Sequence, residues 1–125
     1  MDQLFTEMRK KWPDSWQEIP SDVPIGEALA YEMIPFVQWL SNKGFARRTT
    51  RRHIDNLWLL GGEIIRLRHQ DEVSSHMSAR DLLLLYVADD GGPLLYHSEE
   101  NEQESFDVTC RKLFRWLIKG SDGKA

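Results

Sequence analysis

The sequence predicts an all-α protein, a single small bundle of four to five helices. Apolar residues recur at the 3.6-residue period of a helix along most of the chain. A length of 125 residues with 41% hydrophobic side chains suits one domain, residues 1–125, with one core. Apart from a short hairpin with residues 94–96, the main stretch that could form a strand, residues 82–88, has no strand to pair with. These observations together favour helices packed on helices.

The first predicted helix covers residues 1–12 and is expected to end at Pro13. Its apolar side chains share one helical face: Leu4, Phe5, Met8 and Trp12. Residues 13–24 contain three prolines and are predicted to form an irregular linker. Trp16 and Ile19 would anchor this linker in the core. The helical core itself is expected over residues 26–119.

The second predicted helix begins near Ile25 and ends at Gly44, because glycine readily adopts the left-handed conformation that terminates helices. Pro35 lies inside this helix. Its missing amide and its ring clash cost around 3 kcal/mol, so we expect a kink or a break there.

The third predicted helix extends from about Arg47 to His69, a length of roughly 33 Å. Gly61 and Gly62 lie in its middle, where each costs about 1 kcal/mol relative to alanine. Close approach of another helix is the favoured explanation for the pair, and a bend is the alternative.

Ser78 and Asp81 form a variant capping box, which predicts a helix through the apolar run at residues 82–86. The turn-forming residues 89–93 follow. The same apolar run could instead be one strand of a hairpin with residues 94–96, so that alternative stays open. A final helix is predicted over residues 102–119, with acids at its start and basic residues toward its end as the helix dipole favours. Residues 120–125 are expected to form a tail.

The charged residues are sorted along the chain, although the net charge is only −4. Residues 44–69 hold six arginines and two acids, whereas residues 70–109 hold ten acids and one arginine. Such blocks suggest two faces with different partners or a self-complementary surface. The longest apolar run is seven residues, against roughly 20 for a membrane span. With no readable signal peptide and a single cysteine, a cytoplasmic protein without membrane contact is expected.

The sequence predicts neither catalytic residues nor a metal or cofactor site. The four histidines do not follow zinc-ligand spacing, and the nearest approach is a set around one predicted helix end: His69, Asp71, Glu72 and His76. Cys110 lies on an apolar helical stripe, where a buried thiol is the expected role. We therefore expect a protein that is not an enzyme.

The start of the third predicted helix carries the strongest functional signal. Helix starts already carry about half a positive charge, so basic residues there are unfavourable unless an anion is bound. The candidate phosphate-binding residues are Arg47, Arg48, Thr49, Thr50, Arg51, Arg52 and His53. We call the four arginines among them, Arg47, Arg48, Arg51 and Arg52, the arginine cluster. Pairing with the acidic residues 70–109, within one molecule or in a dimer, is the alternative use of these cations.

The order of motifs also resembles a known family. Phe36-x-x-Trp39-Leu40, a Gly44-Phe45 turn, a threonine-containing helix start and a last helix with Phe114-Arg115-Trp116-Leu117 are similar to the N-terminal core-binding (SAM-like) domain of tyrosine recombinases and phage integrases. The resemblance covers about residues 26–119. It implies a helical bundle that clamps one face of DNA with the start of one helix and with its last helix. By position, it adds the last helix's basic residues to the candidate DNA contacts: Arg111, Lys112 and Arg115.

The sequence also departs from this family. The catalytic domain would begin where this chain ends, so recombinase activity is not expected. Ala46 stands where a Ser or Thr helix cap is usual, and the acidic residues 89–104 would repel DNA unless they face away. The leading expectation is a domain that binds the DNA backbone. The alternative is a protein-interaction module or homodimer in which the arginine cluster meets an acidic surface, with exposed tryptophans as anchors: Trp12, Trp16 or Trp39.

Overall fold

The computed structural model describes residues 2–95 and 98–120, and within them the protein is an all-α bundle of five helices, as predicted. The helices are α1 (Asp2–Trp16), α2 (Val23–Ser41), α3 (Arg47–Arg68), α4 (Ala79–Tyr86) and α5 (Glu100–Gly120). Two short 3-10 turns, Pro20–Asp22 and Ser74–His76, lie in the connections.

The buried side chains form one core between the helices. α2 packs against α1, α3 and α4, while α3 also packs against α1 and α5. The largest fully buried side chains include Met8, Leu29, Met33, Phe36, Leu40, Leu57, Leu60, Ile64, Leu82 and Phe106. Because α3 contacts helices on two sides, one of its faces is buried and the opposite face, with its first turn, reaches the surface.

The predicted end of the first helix at Pro13 is wrong, because α1 continues to Trp16. Pro13 is buried against Gly26 of α2, and Trp16 is buried beyond it, so tertiary packing holds the extra turn. Arg9, whose carbonyl loses the hydrogen bond that residue 13 would donate, is exposed, so water can replace the bond. The irregular part of the predicted linker is correspondingly shorter.

The predicted disruption at Pro35 does not take the form of a break, since α2 is continuous from Val23 to Ser41. Pro35 and Tyr31, whose carbonyl loses its partner, both lie on the exposed face. The lost hydrogen bond is therefore on the solvent side, where it costs least. Gly44 has a φ of +80°, which confirms the predicted left-handed stop after α2.

Gly61 allows the close approach of α1 to α3. A Cβ atom at Gly61 would lie 2.1 Å from the Trp16 ring, which is closer than any real contact. Trp16 is buried, and its indole Nε1 donates to the backbone oxygen of Trp58 at 2.9 Å. The packing explanation of the glycine pair is therefore confirmed at Gly61.

Ile19 is about half exposed, so its predicted role as a core anchor is wrong. Asp22 takes the buried position instead, with 1% of its surface exposed. Its carboxylate accepts hydrogen bonds from the amides of Glu18 and Ile19 at 2.8 and 3.1 Å. A tight turn around an acidic side chain thus replaces the apolar anchor.

The capped helix at residues 78–86 is confirmed, since the Ser78 hydroxyl accepts from the Asp81 amide at 3.2 Å. The hairpin alternative is wrong for the described part of the chain. The apolar run is helical in α4, and a single bridge between Ala88 and Gly91 closes the turn that follows. Tyr96, at the end of the alternative strand, and the predicted tail at 121–125 lie outside the described residues.

Candidate nucleic-acid interface

The first turn of α3 has backbone amides without a side-chain cap. Ala46 occupies the N-cap position, and the first helical bond runs from the Thr50 amide to the Ala46 carbonyl at 3.0 Å. The amides of residues 47–49 therefore have no helical acceptor. With no acid in this turn to oppose the helix dipole, it carries uncompensated positive potential.

The arginine cluster is exposed along this turn and the next one. Arg51 forms an ion pair with Asp55 one turn later, at 3.2 Å, with both side chains more than half exposed. Within residues 2–95 and 98–120, Arg47, Arg48 and Arg52 have no ion pair. In the described structure, the arginine cluster therefore forms no ion pair with the acidic residues 70–109.

Thr49 and Thr50 are half-buried between these arginines. Thr50 lines a shallow groove of about 270 Å³ together with Arg47 and Arg51. The Thr50 side chain thus lies beside two of the arginines, as expected for a donor that would supplement them at a phosphate.

The three basic residues of α5 are separated by the structure. Lys112 lies toward the start of α3, with its Nζ atom 5.3 Å from the centre of the Phe45 ring. Arg115 instead forms an ion pair with Asp89 at 3.1 Å, and Arg111 reaches the Asp90 carbonyl at 3.5 Å. Lys112 is therefore the α5 residue that joins the arginine cluster, whereas Arg111 and Arg115 hold the turn after α4.

Lys43 is a basic residue that the sequence reasoning missed. It lies in the α2–α3 turn, with its Nζ atom 5.1 Å from the centre of the Trp39 ring. A lysine four residues after a tryptophan at a helix end is the signal that could have found it. Lys43, beside Trp39, and Lys112, beside Phe45, thus add two cations near the start of α3.

The acidic start of α5 points away from this surface because α3 and α5 are antiparallel. Asn56 of α3 bonds to Ser105 of α5, and the earlier residue His53 bonds to the later residue Thr109. Glu104 and Glu100 precede Lys112 by 8 and 12 residues, or about 12 and 18 Å along the helix. The glutamates of this helix are thus displaced toward the far end of α3, while Asp107 is engaged with the Gly92 amide and with Gln103.

His53 lies beneath the cluster rather than on the surface, with 4% of its area exposed. Its Nδ1 atom is 2.7 Å from the Thr109 hydroxyl, which also accepts from the Asn56 amide group at 2.9 Å. This buried network joins α3 to α5. His53 therefore positions the helix that carries the arginines, instead of offering an exposed donor as the sequence suggested.

The pKa of His53 is lowered from its ordinary value by burial, and further by the positive charges of Lys112 and Arg52. His53 is therefore neutral in the folded protein near pH 7. The unfolded chain binds a proton at about pH 6.5 whereas the folded protein resists it, so stability falls as the pH drops below that value.

We expect His53→Gln to reduce the free energy of unfolding at pH 7.5 by about 1 kcal/mol, through the altered bond to Thr109. The difference in unfolding free energy between parent and variant should be smaller at pH 5. The parent loses stability there because protonation of His53 favours the unfolded chain, whereas glutamine does not titrate. Urea unfolding at the two pH values measures this, and a difference that widens on acidification would contradict it.

Two of the three tryptophans predicted as exposed anchors are buried. Trp12 and Trp16 are 8% and 5% exposed, and Trp39 is half-buried against Phe36, with ring centres 5.7 Å apart. Trp58 of α3 is the exposed tryptophan, at 42%. The anchor prediction is wrong for Trp12 and Trp16, because α1 packs both tryptophans inward, whereas Trp39 of α2 stays partly exposed.

The remaining candidates for chemistry were His, Cys, Asp and Glu clusters. Within the described residues, no group of three or more is arranged to hold a metal ion. Cys110 is fully buried, and burial raises the pKa of its thiol, so it is protonated at neutral pH. The predicted core role of this cysteine is confirmed. His97 lies outside the described residues.

No protein-family model, curated protein or solved structure matches this chain. Among the described residues, none of the helices combines the length and the apolar character that crossing a membrane requires. The class of protein established by the structure is thus a small all-α bundle with an uncapped, arginine-rich helix start on its surface.

Proposed function

We propose that this protein is a non-catalytic domain that binds the DNA backbone through the arginine cluster. The observation that carries the proposal is that three exposed arginines, Arg47, Arg48 and Arg52, have no ion pair among the described residues and lie at an uncapped helix start. Phosphate groups satisfy both features, because backbone amides and guanidinium groups each donate to phosphate oxygens. Contacts of this kind fix a protein on a duplex without reading its sequence.

The neighbouring residues support the same use. Lys112 and Lys43 supply two further cations near the cluster, and the three glutamates of α5, Glu100, Glu102 and Glu104, lie about 12 Å or more from Lys112 along the helix. The resemblance to the core-binding domain is consistent with backbone contacts at this helix start. In contrast with that resemblance, the cation contributed by the last helix is Lys112, since Arg111 and Arg115 are engaged with Asp90 and Asp89.

The test is a fluorescence-anisotropy titration of a labelled 30-base-pair duplex at several salt concentrations. Affinity should fall steeply between about 50 and 200 mM salt, since each phosphate contact releases counterions. The double variant Arg48→Glu/Arg52→Glu should bind at least tenfold more weakly at 50 mM salt, and the slope of log affinity against log salt should decrease by about 2.

A matched control separates position from net charge. Lys10→Glu/Lys11→Glu changes the net charge equally, but both lysines lie on the exposed surface of α1 outside the cluster. This control should retain most of the affinity. Absence of binding by the parent protein at 50 mM salt, or equal weakening by the two double variants, would show that the cluster is not a DNA-binding site.

The same double variant should be more stable than the parent protein. It replaces unfavourable cations near the start of α3 with acids, each worth about 0.3–1 kcal/mol at such a site. A higher melting temperature together with weaker DNA binding would exclude misfolding as the cause of the loss.

An acidic protein surface is the alternative partner, because carboxylates also pair with these arginines. Arg47, Arg48 and Arg52 are exposed and have no ion pair in the part of the chain that the structure describes, which favours this alternative as much as it favours phosphate. The duplex titration distinguishes the two, since an acidic protein partner predicts no duplex binding at 50 mM salt.

A further inference from the structure

A pocket of about 450 Å³ lies between α1 and α3, next to the arginine cluster. Its apolar lining comes from both helices: Leu4 and Trp12 of α1, and Ile54, Trp58 and Leu59 of α3. Trp12 and Ile54 are buried, whereas Trp58 and Leu59 are 42% and 38% exposed. The pocket therefore combines a buried apolar surface with an accessible rim.

Trp58 closes one end of the pocket and is held in position. Its indole Nε1 donates to the Ser15 hydroxyl at 2.9 Å, a bond that bridges α3 to α1. The Ser15 hydroxyl in turn donates to the Trp12 carbonyl at 2.7 Å. A separate pocket of about 260 Å³ lies beyond Trp58, toward Arg66. Because the Trp58 ring is held by this chain of bonds, little side-chain freedom is lost when a ligand packs against it.

The charged residues of this pocket give it a net negative charge, in contrast with the arginine cluster. Glu7 of α1 and Asp55 of α3 contribute carboxylates, and Arg51 contributes a guanidinium group. Arg51 is paired with Asp55 at 3.2 Å, so these two charges offset each other. Glu7 is half-buried and forms no ion pair within residues 2–95 and 98–120. The negative charge of the pocket is therefore that of Glu7.

An organic cation matches both the charged and the apolar parts of this lining. An ammonium group can donate to the Glu7 carboxylate, and hydrogen bonds between ionised groups are stronger than those between neutral ones. The face of an indole ring also attracts cations, so Trp58 adds to the same preference. An anion would instead be repelled by Glu7, and a neutral apolar molecule would shield that carboxylate from water without replacing the lost hydrogen bonds.

We propose that the pocket between α1 and α3 binds a small organic cation, with its ammonium group on Glu7 and its apolar body against Trp58 and Leu59. The site goes beyond the proposed DNA-binding function, because its selectivity comes from a carboxylate and an apolar lining. Arg51 belongs to both surfaces. Since Arg51 attracts phosphate and opposes a cation, its removal should change the two affinities in opposite directions.

The experiment compares three small probes of similar shape and different charge: 2-phenylethylammonium, 2-phenylethanol and 3-phenylpropanoate. Each is titrated into the full ¹⁵N-labelled chain at pH 7 without nucleic acid, and the backbone amide and indole signals are followed by NMR. The ammonium probe should saturate with a dissociation constant of about 1 mM or lower and should shift the Trp58 indole signal. The alcohol and the carboxylate should bind at least tenfold more weakly.

Glu7→Gln should weaken binding of the ammonium probe at least tenfold and leave the affinity for the alcohol unchanged, because the substitution removes a charge and keeps the shape. The retained affinity for the alcohol shows that the variant keeps its fold. Glu27→Gln is the matched control, since Glu27 is an exposed residue of α2 outside the pocket. Loss of that charge should change binding less than about twofold.

Arg51→Gln provides a second test that does not depend on Glu7. It releases Asp55 from its ion pair and removes a like charge, so it should strengthen binding of the ammonium probe by about twofold or more. The same variant should weaken binding of the DNA duplex. Weaker binding of both ligands would contradict the charge assignment of the pocket.

The proposal would be overturned by any of three further results. The ammonium probe could fail to shift the signals of the pocket residues at concentrations up to about 20 mM. The three probes could bind equally well, which would show an apolar pocket without charge preference. Glu7→Gln and Glu27→Gln could also weaken binding equally, which would show an effect of net charge alone.

Discussion

Gly61→Ala should lower the free energy of unfolding by about 3 kcal/mol, the largest effect expected from adding one methyl group to this protein. The new Cβ atom would lie 2.1 Å from the Trp16 ring, so the indole must move. Because Trp16 is buried and bonded to the Trp58 carbonyl, that movement breaks a hydrogen bond and disturbs the contact of α1 with α3. Urea unfolding at pH 7 measures the change.

Gly62→Ala is the matched control for this substitution. A Cβ atom at Gly62 meets Trp16 at 3.4 Å, an ordinary van der Waals distance. The higher helix propensity of alanine should then make Gly62→Ala neutral or stabilising by up to about 1 kcal/mol. If the two alanine variants have equal stability, Trp16 does not impose the close approach at Gly61.

Asp22→Asn should destabilise the protein by about 2 kcal/mol at pH 7, because it removes the charge of a buried carboxylate that joins two parts of the chain. Asp22 contacts the His69 Nε2 atom at 2.9 Å and the Arg68 Nη1 atom at 3.7 Å, both at the end of α3. The side chains of His69 and Arg68 are 30% and 21% exposed, so water would partly replace the contacts that they lose in the variant. The expected loss is therefore below that of a fully buried ion pair.

The effect of Asp22→Asn should depend on pH. Burial by itself would raise the pKa of Asp22, but hydrogen bonds from His69, Ile19 and Glu18 outweigh it, and the pKa is lowered. A lowered carboxyl pKa stabilises the fold above the pKa of the unfolded chain, about 4, and this contribution is lost as the pH falls through the folded value. The difference between parent and variant should therefore shrink at pH 3.

Unfolding curves at pH 7, 5 and 3 test this expectation. Asp14→Asn is the control, since Asp14 is exposed and accepts a hydrogen bond from Gln17, and it should cost less than about 0.5 kcal/mol. A parent–variant difference that stays constant down to pH 3 would contradict the role assigned to the Asp22 charge.

Features of the fold that depend on local chemistry could be predicted from the sequence. Gly44 ends α2 in the left-handed conformation, and Ser78 caps α4, because each acts through its own backbone or its near neighbours. The extension of α1 through Pro13 could not be predicted in this way. It depends on the contact of Pro13 with Gly26, a residue of another helix, and on the burial of Trp16, three residues after the proline.

The candidate site also has features that the sequence predicts and features that depend on tertiary packing. The uncapped start of α3 and its exposed arginines follow from residues 46–52 alone. Which basic residue of α5 lies beside them depends on how α5 rotates against α3. The contacts with Thr109 and Ser105 set that rotation, so Lys112 faces the cluster while Arg115 faces Asp89. The hydrophobic period and the charge pattern of a sequence do not determine how one helix is rotated against another.

The antiparallel arrangement of α3 and α5 also separates charges of opposite sign along this pair of helices. Four arginines lie at the start of α3, and Glu100, Glu102 and Glu104 of α5 lie toward its other end. A polyanion approaching through solvent would rotate the protein before the two touch, which raises the fraction of collisions with the correct orientation. Added salt shortens the range of this torque, so the association rate should be more sensitive to ionic strength than the dissociation rate.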